Sequence, residues 1–287
     1  IMAGDGGMEY AMCTFIDGVG HPTMESLYSV TSHEIAHTWF QFLMATNESK
    51  HAWMDEGFTS YIDDVALNVV LNQGKDLPNA NAYKDYFRWV ATGLEEPMTT
   101  HADRFVYNNG YGMSSYDKGS IFLSQLEYVI GRDNFGKTLK KYFDDWAFKH
   151  PKPNDFIRSA EKISGLELDW YLLDWAQSTM TIDYSLNSVY GLENKTKIIL
   201  QRIGQMGMPI DLQIILKSGE SINYNIPMTK MRGSKPLENS RLLRSWSWAK
   251  PYYSFDLEIN KNDISKILID PKGKMADINR NNNYIIF

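Results

Sequence analysis

The stretch "HEIAHTWFQFLMATNESKHAWMDEG", residues 33–57, sets two histidines four apart around a glutamate and, after eighteen intervening residues, adds a further glutamate, Glu56. On a helix, positions four apart lie roughly 40° from eclipsed and about 6 Å apart along the axis. His33 and His37 therefore aim their rings at one point. Neutral imidazoles converging on a point suit a metal, and a catalytic zinc takes three protein ligands at about 2.0–2.2 Å, leaving a fourth position open. Glu56 is the third candidate ligand. Glu34 sits roughly 100° round the helix from His33, so it cannot share the ligand direction but reaches the open position from the side. That makes it the candidate general base.

The flanking sequence supports this geometry. "MESLYSVTSHEIAHTWFQFLM" (24–44) reads as one amphipathic helix, and "WMDEGFTSYIDD" (53–64) begins a second, with Asp55 as its N-cap and Glu56 in its first turn. Two helices then share one ion. Isolated histidines such as His21, His51, His101 and His150 read as ordinary core or surface residues. An HExxH alone arises by chance, whereas the added glutamate in a helical setting points to zinc-dependent hydrolysis.

Working outward, a 287-residue chain with 43% hydrophobic and 13% aromatic residues buries a sizeable core, and its length suits one large or two ordinary domains. A net charge of −6 argues against a general nucleic-acid or membrane-surface binder, since phosphate backbones demand basic patches. Cys13, the only cysteine, cannot form an internal disulfide. No stretch of about 18 uninterrupted apolar residues predicts a bilayer-spanning helix. The opening "IMAGDGGMEYAMCTFI" has neither a charged n-region nor a small-residue cleavage site, and reads as the interior of a longer chain.

Up to about residue 178 the pattern is helical, as in "FTSYIDDVALNVVLNQG", where Phe58, Tyr61, Ile62, Val65 and Val69 form the stripe and Gly74 the stop. From Met180 it changes to short β-branched runs: "KIILQRI", "IDLQIILKSGESINYNI", "YYSFDLEI" and "SKILID", the second folding back at Ser218-Gly219. Charge shifts at the same place. Residues 1–180 carry 14 Lys and Arg against 25 Asp and Glu, and residues 181–287 carry 15 against 10. The expectation is an α+β chain of two domains, a mostly helical one over 1–178 and a β-sandwich over 179–287.

The combination of "GGMEY" (6–10), "HEIAH", "WMDEG" and "SSYDKG" (114–119) resembles the M1 family, the gluzincin aminopeptidases related to aminopeptidase N and leukotriene A4 hydrolase. The tails "ILIDPKGKMADINRNNN" and "IPMTKMRGSKP" more loosely resemble the β-sandwich of bacterial, especially Bacteroidetes-type, members. The resemblance implies a thermolysin-like catalytic domain, one zinc held by His33, His37 and Glu56, and Glu34 as base. It makes Tyr116 the donor to the oxyanion, and Glu9 the anchor for the free α-amine of a peptide. Gly7 and Met8 belong to the same substrate-lining stretch. The run "MEYAMCTFI" reads as a strand along which a peptide could pair. The chain departs from the family pattern at Tyr10 and Asp55, where asparagine is usual, and the resemblance implies that the full-length protein has an N-terminal β-domain, outside this sequence, supplying a second acid to the amine. Peptides with a free N-terminus are the implied partners, and a periplasmic, secreted or cell-surface location the implied compartment.

The leading expectation is a zinc aminopeptidase. An endopeptidase or epoxide-opening hydrolase on the same scaffold would keep the metal site and use Glu9 differently. A non-catalytic, zinc-stabilised binding module is the reading from another class. It fits less well, because structural zinc sites are closed by four protein ligands and rich in cysteine.

Overall fold

The computed structural model describes residues 2–4, 6–17, 21–237 and 239–287. Strands β1 (Met2–Gly4) and β2 (Phe15–Asp17) pair in parallel. Helices then dominate: α1 (Met24–Ala36), α2 (Phe58–Val70), α3 (Ala80–Val90), α4 (Asn108–Gly112), α5 (Lys118–Ile130), α6 (Arg132–Trp146), α7 (Pro153–Ser164) and α8 (Asp169–Ala176). α5 is the hub of the helical part, with Ile121, Phe122, Leu126, Val129 and Ile130 fully buried.

The rest is β3 (Tyr184–Leu192), β4 (Lys195–Arg202), β5 (Ile210–Leu216), β6 (Ser221–Ile226), β7 (Ser240–Leu242), β8 (Tyr252–Leu257), β9 (Ile264–Ile269) and β10 (Tyr284–Ile286). They form two sheets, ordered β10-β9-β5-β6-β7 and β3-β4-β8. Alternation drives the burial: Ile210, Leu212 and Ile214 of β5 face the core while Asp211 and Gln213 are only half-buried. Rings from the two sheets meet where Tyr224 of β6 lies 5.8 Å from Phe255 of β8. β5 and β6 turn back through Gly219, whose φ of +91° favours glycine. The sandwich docks on α5: Gln125 Nε2 and Tyr83 Oη both donate to Lys274 O (2.7 and 2.9 Å), and Asp211 N donates to Tyr128 Oη (3.0 Å).

Some expectations are corrected. "MEYAMCTFI" is not a continuous strand. Met8 and Phe15 exchange backbone hydrogen bonds, and the chain between them turns at Met12, whose φ is +61°. α2 stops at Val70, before Gly74, because Asn72 already takes a left-handed conformation (φ +48°). Val69 is exposed and leaves the buried stripe.

The helix expected over 24–44 also breaks. α1 ends at Ala36, a wider π turn runs over Thr38–Leu43, and Phe40 is extended inside it (φ −119°, ψ 92°). π turns recur at Trp53–Gly57, leading into α2, and at Met113–Asp117, between α4 and α5. Such insertions gather at functional sites because they re-aim side chains. Here each one carries or adjoins a residue singled out in the sequence.

The second π turn and the first turn of α5, just past the third π turn, meet at a glycine crossing. A Cβ on Gly57 would lie 2.5 Å from Gly119 Cα, and one on Gly119 would lie 2.7 Å from Gly57 Cα. The opposing atoms are backbone, so neither side can yield without the helices parting. Gly119→Ala should therefore cost about 1–3 kcal/mol, the usual scale of overpacking, by pushing apart the segments that bear Glu56 and Tyr116. Thermal unfolding checks this; an unchanged melting temperature would refute it.

Candidate active site

Three side chains from two helices converge. His33 Nε2 lies 3.2 Å from Glu56 Oε2 and 3.3 Å from His37 Nε2, and His37 Nε2 lies 3.4 Å from the same Glu56 oxygen. For ligands at about 2.0–2.1 Å from a tetrahedral zinc, the donor atoms stand roughly 3.3–3.4 Å apart. The observed triangle has those edges, so the donor set fits a zinc ion in both chemistry and spacing. Among the described residues, no other histidine joins a three-donor grouping.

His37 is aimed by its other nitrogen. Nδ1 hydrogen-bonds Phe40 O at 2.9 Å and lies 2.7 Å from Asp55 Oδ1. The Phe40 carbonyl is available because the chain kinks there, and the fully buried Thr59 hydroxyl lies within donating distance of it (3.1 Å) and of Asp55 O (2.8 Å). Asp55 is thus not the N-cap expected from the sequence. The helix is already running at Trp53, and Asp55 is a buried carboxylate beside His37. Such outer partners fix the tautomer and orientation of a metal-binding histidine.

Glu34 lies beside the triangle, buried to 6% exposure, with no hydrogen-bond partner for Oε2 among the described residues. Burial pushes its carboxyl above the usual range, against the lowering effect of His33 and His37. A raised carboxyl is suited to accept and return a proton. Gly7 packs on it, and a Cβ there would overlap the Glu34 carboxylate. Met8 is exposed, and Glu9 is buried at 7% with Gln41 Nε2 donating to it at 3.1 Å. The same Gln41 amide also donates to Glu48. Gln41, Glu48 and Thr59 carry no sequence signal of a role here, because tertiary contacts bring them to the site, and Asp55 reads there only as a cap.

Tyr116 closes the other side. Its ring stacks on His33 with centroids 5.8 Å apart and planes 12° from parallel. Burial first, then the charge and hydrogen-bonding contact of Glu56, raise its hydroxyl far above the ordinary value, so it stays a donor. For Glu56, burial opposes ionisation, yet hydrogen bonds from His33, His37 and Tyr116 hold its carboxyl down to about 2.

The "Peptidase family M1 domain" profile matches residues 13–189, and the chain belongs to peptidase family M1. It is 27% identical over 186 residues to aminopeptidase B of Mus musculus, which covers 58% of this chain and 29% of that protein. It is 25% identical over 191 residues to leucine aminopeptidase 2 of Neurospora crassa, covering 59% of this chain and 27% of that one. The crystal structure of Legionella pneumophila aminopeptidase A in complex with aspartic acid superposes with a TM-score of 0.53 at 16% identity, over 88% of this chain and 26% of that chain. That likeness shows a shared α+β fold. The chain spans under a third of the length of these relatives.

The triangle has a pH signature. Without metal, burial alone would lower the His37 pKa, but hydrogen bonds and charge from Asp55 and Glu56 raise it to about 10. Zinc needs the neutral ring, so binding must release that proton. Apparent zinc affinity should rise about tenfold per pH unit between about pH 7 and 9 and level off near 10. Competition titrations against a chelator of known pH dependence test this; a flat profile would contradict it.

Proposed function

We propose that this chain carries the catalytic centre of a zinc aminopeptidase, with His33, His37 and Glu56 holding one zinc per chain. The observation that carries the reading is the near-equilateral triangle of donor atoms, edges 3.2–3.4 Å, with an unpartnered Glu34 oxygen beside it. Residues 1–178 would form the catalytic unit and 179–287 a β-sandwich supporting it through α5. The names of the M1 relatives, aminopeptidases all, support peptides as substrates.

When bound, the zinc would supply Lewis acidity, polarising the scissile carbonyl and acidifying water. The chain's own groups do the rest. Glu34 takes a proton from the attacking water and delivers it to the departing amine. Tyr116, kept protonated, donates a hydrogen bond to the oxygen that gains negative charge, in a site where water competes poorly. Glu9, fixed by Gln41, meets the protonated α-amine of the peptide and sets how far its N-terminus advances. Losing one partner of such a charged pair costs about 2–5 kcal/mol, so an exopeptidase depends on this contact. Gly7 and Met8 present the adjoining backbone to the substrate.

Glu34→Gln should retain zinc and abolish turnover, because the amide keeps the shape but takes no proton, whereas His33→Ala should lose the metal. Substantial turnover by a folded, zinc-loaded Glu34→Gln protein would overturn the assignment of the base.

Glu9 decides what kind of peptidase this is. Glu9→Ala should sharply reduce cleavage of peptides with a free amine, and N-acetylated peptides should be poor substrates of the unmodified protein. If blocked peptides were cut internally as fast as free ones, with Glu9→Ala unaffected, the site would be that of an endopeptidase.

A further inference from the structure

Lys118 is an odd residue to bury. It is 1% exposed, and its ammonium lies 2.5 Å from Glu95 Oε1, itself on a side chain only 6% exposed. The ammonium also donates to Ser178 O at 3.2 Å. Stripping water from both charges is costly, and two apolar side chains of similar volume generally fill such a space as well or better. Stability is therefore a poor reason for the pair.

Its place in the fold suggests another. Lys118 follows directly on the π turn Met113–Asp117 that bears Tyr116. Near the other end of that turn, Ser114 Oγ donates to Glu96 O at 3.1 Å. Two consecutive residues of the loop after α3, Glu95 and Glu96, thus grip the turn on both sides of Tyr116. The Glu96 carboxylate also accepts from Val106 N at 3.2 Å, just ahead of α4. A π turn holds one residue more than an α turn, so a return to α spacing would shift its register by one residue. A slip of one residue would swing Tyr116 by roughly 100° about the helix axis, away from its stack on His33.

We propose that Lys118, paired with Glu95, is a positioning residue that fixes the π turn in the register at which the Tyr116 hydroxyl faces the reacting carbonyl. The proposal rests on the reading of Tyr116 as the oxyanion donor. Lys118 acts only through Tyr116, which gives a test that a merely structural role would not pass.

The test is a cycle in the zinc-loaded protein: Tyr116→Phe, the paired replacement Lys118→Met with Glu95→Leu, and all three together. kcat and KM are measured on an aminoacyl p-nitroanilide, alongside zinc content and melting temperature. The paired replacement should fold and keep its zinc, and kcat should fall by about 10- to 100-fold, the scale of an ångström-sized misplacement. KM should stay within about twofold. In the Tyr116→Phe background the same replacement should change kcat by less than about twofold, because what it positions is already gone.

Losses that multiply in the triple variant would overturn the proposal. So would a normal kcat in the paired variant beside a slow Tyr116→Phe, which leaves the role of Tyr116 intact. A normal kcat in Tyr116→Phe itself would instead remove the oxyanion role, and the positioning role with it. Should the paired variant not fold, Glu95→Gln, which keeps the volume and removes the charge, enters the same cycle with the same outcomes.

Discussion

Two imidazole nitrogens and a carboxylate oxygen, each within 3.4 Å of the others, stand at the spacing that a tetrahedral zinc ion would ask of its ligands. Without a metal, hydrogen bonds and charge from Asp55 and Glu56 favour a proton on His37 against the effect of burial. Much of the helical part can be understood as what is required to hold these atoms close: α1 for the histidines, the turn before α2 for Glu56, and the buried Asp55 and Thr59 that keep His37 from rotating.

The second requirement is close approach of backbone. Gly57 and Gly119 touch where the turns bearing Glu56 and Tyr116 meet, and Gly7 packs directly against the Glu34 carboxylate. Each π turn trades regular hydrogen bonding for a re-aimed side chain or carbonyl. The one after His37 frees the Phe40 carbonyl, the second carries Asp55 and Glu56, and the third presents Tyr116 to His33.

What the sequence disclosed follows from what is local in it. The four-residue spacing of His33 and His37 is a helical property, so their convergence could be read directly, and the family pattern added Tyr116 and Glu9. The β5–β6 hairpin was legible because alternation and Gly219 are both local signals. Asp55 was misread because an aspartate ahead of a helical run resembles a cap, and nothing in "WMDEG" announces that the helix has already begun. The kink at Phe40 was hidden for a similar reason: "TWFQFLM" contains neither proline nor glycine. The turn at Met12 likewise lies in a run that looks like a strand. Gln41, Glu48, Thr59 and the Lys118–Glu95 pair depend on tertiary contacts between segments far apart in sequence, which periodicity cannot report.

The central claim is that one zinc sits on two histidines and a glutamate. X-ray absorption at the zinc edge of the loaded protein tests it most directly. The account predicts a low-coordinate site with two imidazole nitrogens and the remaining ligands oxygen. A sulfur ligand, or more than two imidazoles, would contradict it.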